Sequence, residues 1–252
     1  MNEKVKCHGR GGVFSILGGG LEGIRQSVEC NSISEVYVFS EAHPHKAAHA
    51  VNPFDFVLIQ NDPGEAESYN KHASHFLNCD EKMLDQYASI VSKIKFKKEL
   101  MDLVDHYTRK FQIDENTVGV HYRLTDLNRI HPQYGEVYFE DYKNCLEGVI
   151  QDDHKLFVAS DNEESITKVL SVYKDKVTYV PDLLRSKNQY CTEHTAMQER
   201  EILKDTLIKE SFLEALLLSR CGVFLYRSST MSVFVKVLRR ILGKNNNIKI
   251  GG

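Results

Sequence analysis

The chain has 252 residues, of which 42% are hydrophobic, 27% charged and 10% aromatic. That balance fits one large or two small buried cores and excludes disordered, collagen-like and disulfide-stapled proteins. Lys and Arg number 32 against 35 Asp and Glu, a formal net charge of −3. The chain therefore lacks the broad positive field of a nucleic-acid binder, and phosphate recognition must come from a few placed side chains.

Six cysteines stand at positions 7, 30, 79, 145, 191 and 221. They form no CxxC pair and no zinc spacing, which fits a reducing compartment and ordinary burial. No apolar stretch approaches the roughly 18–20 residues that cross a bilayer. The opening MNEKVKCHGRGG has no apolar signal core, so the expectation is a cytoplasmic protein without a membrane span.

Residues 12–28 are glycine-rich and then helix-like, and 35–40 and 54–59 read as strands. A charged helix from residue 81 to about 111 leads from a first lobe into a second. In the second lobe, strands are expected over 117–122, 155–160, 176–180 and 222–226. Helices are expected over 139–149, 164–173, 210–219 and 233–242. Strands alternating with helices predict an α/β fold with a doubly wound parallel sheet, whose ligands lie beyond the carboxyl ends of the strands. Polar residues gather at those ends: His121 and Arg123, Asp161, Asp182 and Arg185, and Arg227 to Thr230.

Each has a chemical and a structural use. Arg123 offers a planar fork of donors suited to phosphate, or a local pair with Asp126. Ser228, Ser229 and Thr230 stand at a strand-to-helix junction, where hydroxyls and N–H groups hold anions or simply cap the helix. Asp161 and Asp182 accept from a ribose or a base, or, for Asp161, cap the following helix. The run from Gly9 to Gly20, with Gly11, Gly12 and Phe14, allows close backbone approach to a ligand or tight packing. It fits neither G-x-G-x-x-G after a strand nor a P-loop. His43, His45 and His49 cluster without a carboxylate at ligand spacing, so no metal site is expected.

Four ordered blocks in the second lobe resemble the GDP-fucose-dependent fucosyltransferases typified by the rhizobial nodulation enzyme and the core α1,6-fucosyltransferase. They are Val118-Gly119-Val120-His121-Tyr122-Arg123-Leu124-Thr125-Asp126, Phe157-Val158-Ala159-Ser160-Asp161, Val180-Pro181-Asp182-Leu183-Leu184-Arg185-Ser186, and Ala215 to Gly222 continuing to Ser228-Ser229-Thr230-Met231-Ser232. The first lobe is similar only through its Gly-Gly-x-Phe-Ser opening. Many members carry a second arginine where this chain has Leu124, and Cys-Asp where it has Cys221-Gly222.

The resemblance implies a GT-B fold: two Rossmann-like lobes facing a cleft, the first lobe small. Residues 1–96 would form the acceptor-side lobe and 97–252 the nucleotide-sugar-binding lobe. It implies an inverting, metal-independent glycosyltransferase that moves fucose from GDP-fucose, or a related sugar, to a glycan hydroxyl. No cofactor is implied, and the partners are the nucleotide sugar and the glycan. By position, Arg123 would hold the β-phosphate, and His121 and Asp182 the guanosine. Asp161 would lie near the nucleotide or order its loop, with Arg185 in the same donor-binding set. Ser228, Ser229 and Thr230 would bind diphosphate oxygens. Asp126, His131 and Glu136 lie where the family keeps acidic residues, Asp126 and Glu136 being the candidate catalytic carboxylates. The alternative is a nucleotide- or glycan-binding module that kept the scaffold without catalysis.

Overall fold

The structure, a computed structural model, describes residues 3–8, 13–27, 33–39, 53–60, 67–69, 74–123, 137–186 and 204–251. The chain divides into two compact units. The first comprises Met1–Leu103, Leu203–Ala215 and Ser229–Asn245; the second comprises Val104–Ile202, Leu216–Ser228 and Asn246–Gly252.

In chain order the elements are β1 (Glu3–His8), α1 (Val13–Ser27), β2 (Ile33–Phe39), β3 (Glu67–Tyr69), α2 (Ser74–Leu77), α3 (Glu81–Val91) and α4 (Lys98–Phe111). They continue with β4 (Thr117–His121), α5 (Phe139–Glu147), β5 (Lys155–Ala159), α6 (Glu163–Tyr173) and β6 (Val177–Thr178). The series closes with α7 (Lys204–Arg220), β7 (Val223–Tyr226), α8 (Thr230–Ile241) and β8 (Asn247–Lys249).

The first unit carries a parallel sheet in the order β2-β1-β3. Apart from Ser15, α1 is buried from Val13 to Ile24, as befits a helix that packs both on β1 and on other helices. α8 packs on α1, α2 and α3 within the same unit. Phe14 sits between Phe212 and Phe234, with ring centroids 5.2 and 5.3 Å away.

The second unit carries a parallel sheet in the order β6-β5-β4-β7-β8. Its central strands are continuous apolar runs. Val118 and Val120, Leu156 to Val158, and Phe224 and Leu225 are all buried, as expected of parallel strands covered on both faces. Two glycines answer packing demands. A Cβ at Gly119 would lie 2.8 Å from Cys221 Sγ, and one at Gly222 only 1.9 Å from the Glu115 carbonyl oxygen.

The α/β class and the parallel second sheet are as expected; several element boundaries are not. Pro53–Phe56 is a 3-10 turn rather than part of a strand, with the Val57 and Leu58 N–H groups closing onto the Phe54 carbonyl. Leu58 then makes an isolated antiparallel bridge to Phe96. That bridge also splits the expected helix over 81–111, because Ile59 donates to the Lys95 carbonyl and Lys97 to that of Val57. Only Val177 and Thr178 of the expected strand over 176–180 pair with β5. α7 begins at Lys204 rather than 210, and α8 at Thr230 rather than 233.

Candidate functional site

β4 is the first strand of the second unit; β5 and β6 follow on one side, and β7 and β8 on the other. The order therefore reverses between β4 and β7, and such a switch point opens a crevice beyond the carboxyl ends of its strands. In register, His121 lies opposite both Ala159 and Tyr226. Two residues beyond that row stand Arg123, Asp161 and Ser228, so three of the expected site residues come from neighbouring strand tips at one level.

At the β4 tip, the Tyr122 N–H donates to the Ala159 carbonyl at 2.9 Å and prolongs the ladder. The Tyr122 ring packs on Tyr142, with centroids 4.3 Å apart. The Tyr142 hydroxyl donates to the His121 carbonyl at 3.1 Å and hydrogen-bonds the backbone at Arg123. The chain leaving the strand is thus held where Arg123 starts. His121 is buried; burial first and the Arg123 charge second push its pKa down to about 3, so the imidazole is neutral and offers one donor and one acceptor. Arg123 Nε lies 3.7 Å from Asp161 Oδ2, with the arginine side chain 23% exposed and the aspartate 4%.

The α6 cap is Asn162, whose Oδ1 accepts from the Ser165 N–H at 2.9 Å. Asp161 is therefore not the cap that one sequence reading made it, and its carboxylate faces Arg123 instead. Residues 181–186 return to brace this tip. The Ser186 N–H donates to the Asp161 carbonyl at 2.8 Å, and the Glu163 N–H to the Ser186 carbonyl at 2.9 Å. Arg185 is buried and donates to the Ser160 and Val180 carbonyls at 3.2 and 3.0 Å, its guanidinium lying over the Tyr179 ring. Asp182 is exposed in the turn with φ +62°, a left-handed conformation that Asp tolerates better than most residues.

Beyond β7, Arg227 is buried at 2% exposure. Ser228 is half-buried, and Ser229 caps α8, its Oγ accepting from the Ser232 N–H at 3.1 Å. Both sequence readings of Ser229 concerned a helix start, and the cap is what the structure places there. In the first unit, the opening turns of α1 and α8 meet, with the Ser15 and Thr230 hydroxyls 3.5 Å apart. Phe14 belongs to α1 rather than to a loop, and its ring is core. Gly11, Gly12, Asp126, His131, Glu136 and the histidines at 43, 45 and 49 lie outside the described residues.

Sequence reasoning noticed Arg227 only as a strand-end residue, and missed Tyr142. A buried tyrosine on an amphipathic helix has no sequence mark that separates it from core. Among the described residues, no cluster of three His, Cys, Asp or Glu could hold a metal ion, and no helix is long and apolar enough to cross a membrane.

No family model matches the chain, and no curated protein matches it significantly by sequence. Solved structures do match by fold. NodZ α-1,6-fucosyltransferase soaked with GDP-fucose has a TM-score of 0.56 at 11% identity, over 94% of this chain and 93% of that one. The structure of NodZ co-crystallized with GDP has a TM-score of 0.56 at 13% identity, over 95% and 92%. Fucosyltransferase NodZ from Bradyrhizobium has 0.53 at 11%, over 95% and 93%. The likeness shows the fold: an α/β chain with parallel sheets, similar to GT-B fucosyltransferases.

Proposed function

We propose that the chain is an inverting, metal-independent glycosyltransferase that moves fucose from GDP-fucose to a glycan hydroxyl. The observation that supports this best is the switch point itself: Arg123, Asp161 and Ser228 each follow, by two residues, the paired row of His121, Ala159 and Tyr226. In this reading the second unit is the donor-binding lobe and the first the acceptor-side lobe. Arg123 holds the β-phosphate and Asp161 orients its guanidinium. Ser228, two residues past the end of β7, offers its hydroxyl to the diphosphate. His121, as a neutral ring, and the exposed Asp182 meet the guanosine. Arg185 keeps the β5 tip in shape.

The chemistry follows from that charge pattern. The acceptor oxygen attacks the anomeric carbon as the bond to the β-phosphate oxygen breaks, and GDP leaves with the electron pair. The acceptor proton passes to a carboxylate, for which Asp126 and Glu136 are the candidates. Negative charge grows on the diphosphate during departure, so a fixed guanidinium there binds the transition state better than the ground state. The reading needs no metal for that step.

Replacing Arg123 with Ala tests it. Losing one such donor typically costs on the order of 100-fold in turnover. The variant is expected to lose transfer from GDP-fucose by about that factor and to bind GDP more weakly by calorimetry. Unchanged transfer and unchanged GDP binding would overturn the reading. A thermal-shift panel of GDP, UDP and their sugars checks the donor, since a ligand bound by the native state alone raises apparent stability.

A further inference from the structure

In the first unit, the bridge between Leu58 and Phe96 sorts its neighbours onto two faces. Leu58 is buried, and Phe96 packs against Phe212 of α7 with ring centroids 5.9 Å apart. Side chains alternate along paired backbone, so Ile59 and Lys97 stand together on the opposite face. Ile59 is 57% exposed there and Lys97 half-buried. On α7, Lys209 lies one turn before Phe212 and Thr206 one turn before Lys209, so the three share a side of the helix. The contact of Phe212 with Phe96 therefore brings Thr206 and Lys209 toward Ile59 and Lys97. All four line one cavity of about 630 Å³, together with Lys98 and Glu99.

Three ammonium groups line that cavity, but they are not equivalent. The Lys98 Nζ lies 2.6 Å from Asp102 Oδ2. Asp102 first, and Glu99 after it, raise the pKa of Lys98, so carboxylates already engage this ammonium. Among the described residues, no carboxylate pairs with Lys97 or Lys209. Each of these two half-buried side chains brings three N–H donors and a positive charge. A phosphate monoester carries close to two negative charges at neutral pH, and lysine binds it as a point charge. The cavity is larger than a bare phosphate needs and falls within the roughly 300–1,000 Å³ of small-molecule sites. Ile59 supplies an apolar wall for the rest of such a ligand.

We propose that this cavity binds the phosphate monoester of a small organic molecule, about as large as a sugar phosphate, with Lys97 and Lys209 holding the phosphate. The site lies wholly in the first unit and does not rest on the donor-site reading, which places its nucleotide in the second.

Calorimetry on the full chain tests it, with glucose 6-phosphate as the probe and glucose as its uncharged control. The parent protein should bind the phosphate ester and not glucose. Lys97→Gln and Lys209→Gln should each weaken the ester about tenfold, the loss of one charge-assisted hydrogen bond. Lys97→Arg and Lys209→Arg keep the charge and should stay within about threefold of the parent. Lys98→Gln should also stay within about threefold, because Asp102 already holds that ammonium. Arg123→Ala, in the second unit, should bind the ester as the parent does. A parent that does not bind the ester, or glutamine variants at 97 and 209 that bind it unchanged, overturns the proposal. An equal loss in Lys98→Gln overturns it too, since general surface charge would then be attracting the ester. A loss confined to Arg123→Ala would assign the phosphate to the second unit and overturn the proposal while leaving the donor-site reading intact.

Discussion

His121 sits at the β4 tip as a neutral ring, and that state has a cost in acid. Its folded pKa of about 3 lies below the ordinary 6.5. Above pH 6.5, folded and unfolded chains both hold the ring uncharged, and its contribution to stability is complete. As pH falls from 6.5 toward 3, the unfolded chain takes a proton that the folded chain refuses. Stability is lost at up to about 1.4 kcal/mol per pH unit. Urea melts of the parent and His121→Gln at pH 7 and pH 5 check this: the variant should lose less stability between the two pH values. Equal losses would mean that the ring is not the group responsible. At this scale the sequence revealed the strand-tip set, because apolar runs ending in His, Arg, Asp and Ser mark where a buried strand meets solvent. It did not separate Asp161 from Asn162 as the helix cap. Both residues favour caps, and only the backbone geometry assigns the duty to Asn162, leaving Asp161 to face Arg123.

The elements around the site owe their placement to backbone pairing as much as to side-chain pattern. α1 and α8 were legible as helices, whereas α3 and α4 read as one charged helix over 81–111 because both carry apolar residues at helical spacing. Short pieces were not legible. β8 and β6 are short strands at the two edges of the second sheet, and the bridge between Leu58 and Phe96 is a pairing of distant residues that no local pattern announces. The start of α8 was placed three residues late because a helix's first turn is defined by its cap rather than by its apolar stripe. Ser229 caps that turn through its hydroxyl, so Ser229→Ala should lower stability by about 1 kcal/mol. Ser229→Asp, which restores an acceptor next to the helix dipole, should recover most of it. Chemical denaturation of the two variants checks the claim. An alanine variant as stable as the parent would show that the start of α8 does not depend on this hydroxyl.

On the scale of the whole molecule, neither unit is one continuous stretch of chain. The first unit is completed by Leu203–Ala215 and Ser229–Asn245, which arrive after most of the second unit has been threaded. Those returning segments supply Phe212 and Phe234, which enclose Phe14, and Arg240, which meets Asp85 at 2.6 Å and Glu81 at 3.2 Å. No periodicity in the sequence shows that α8 leaves one unit and closes the core of the other, because its apolar stripe would look the same against either sheet. The arrangement has a consequence for truncation. A fragment ending at Leu103 keeps β1 to α3 but loses both partners of Phe14. Emptying one buried phenylalanine site costs about 3–5 kcal/mol, and the net stability of a domain is only about 5–15 kcal/mol. Losing two such residues along with the helix that covers α1 should leave the fragment without a cooperative urea transition. Adding back a peptide spanning residues 203–245 should restore one. A fragment that unfolds cooperatively alone would show that β1, α1, β2 and α3 make a sufficient core by themselves, and that the returning helices only cover it.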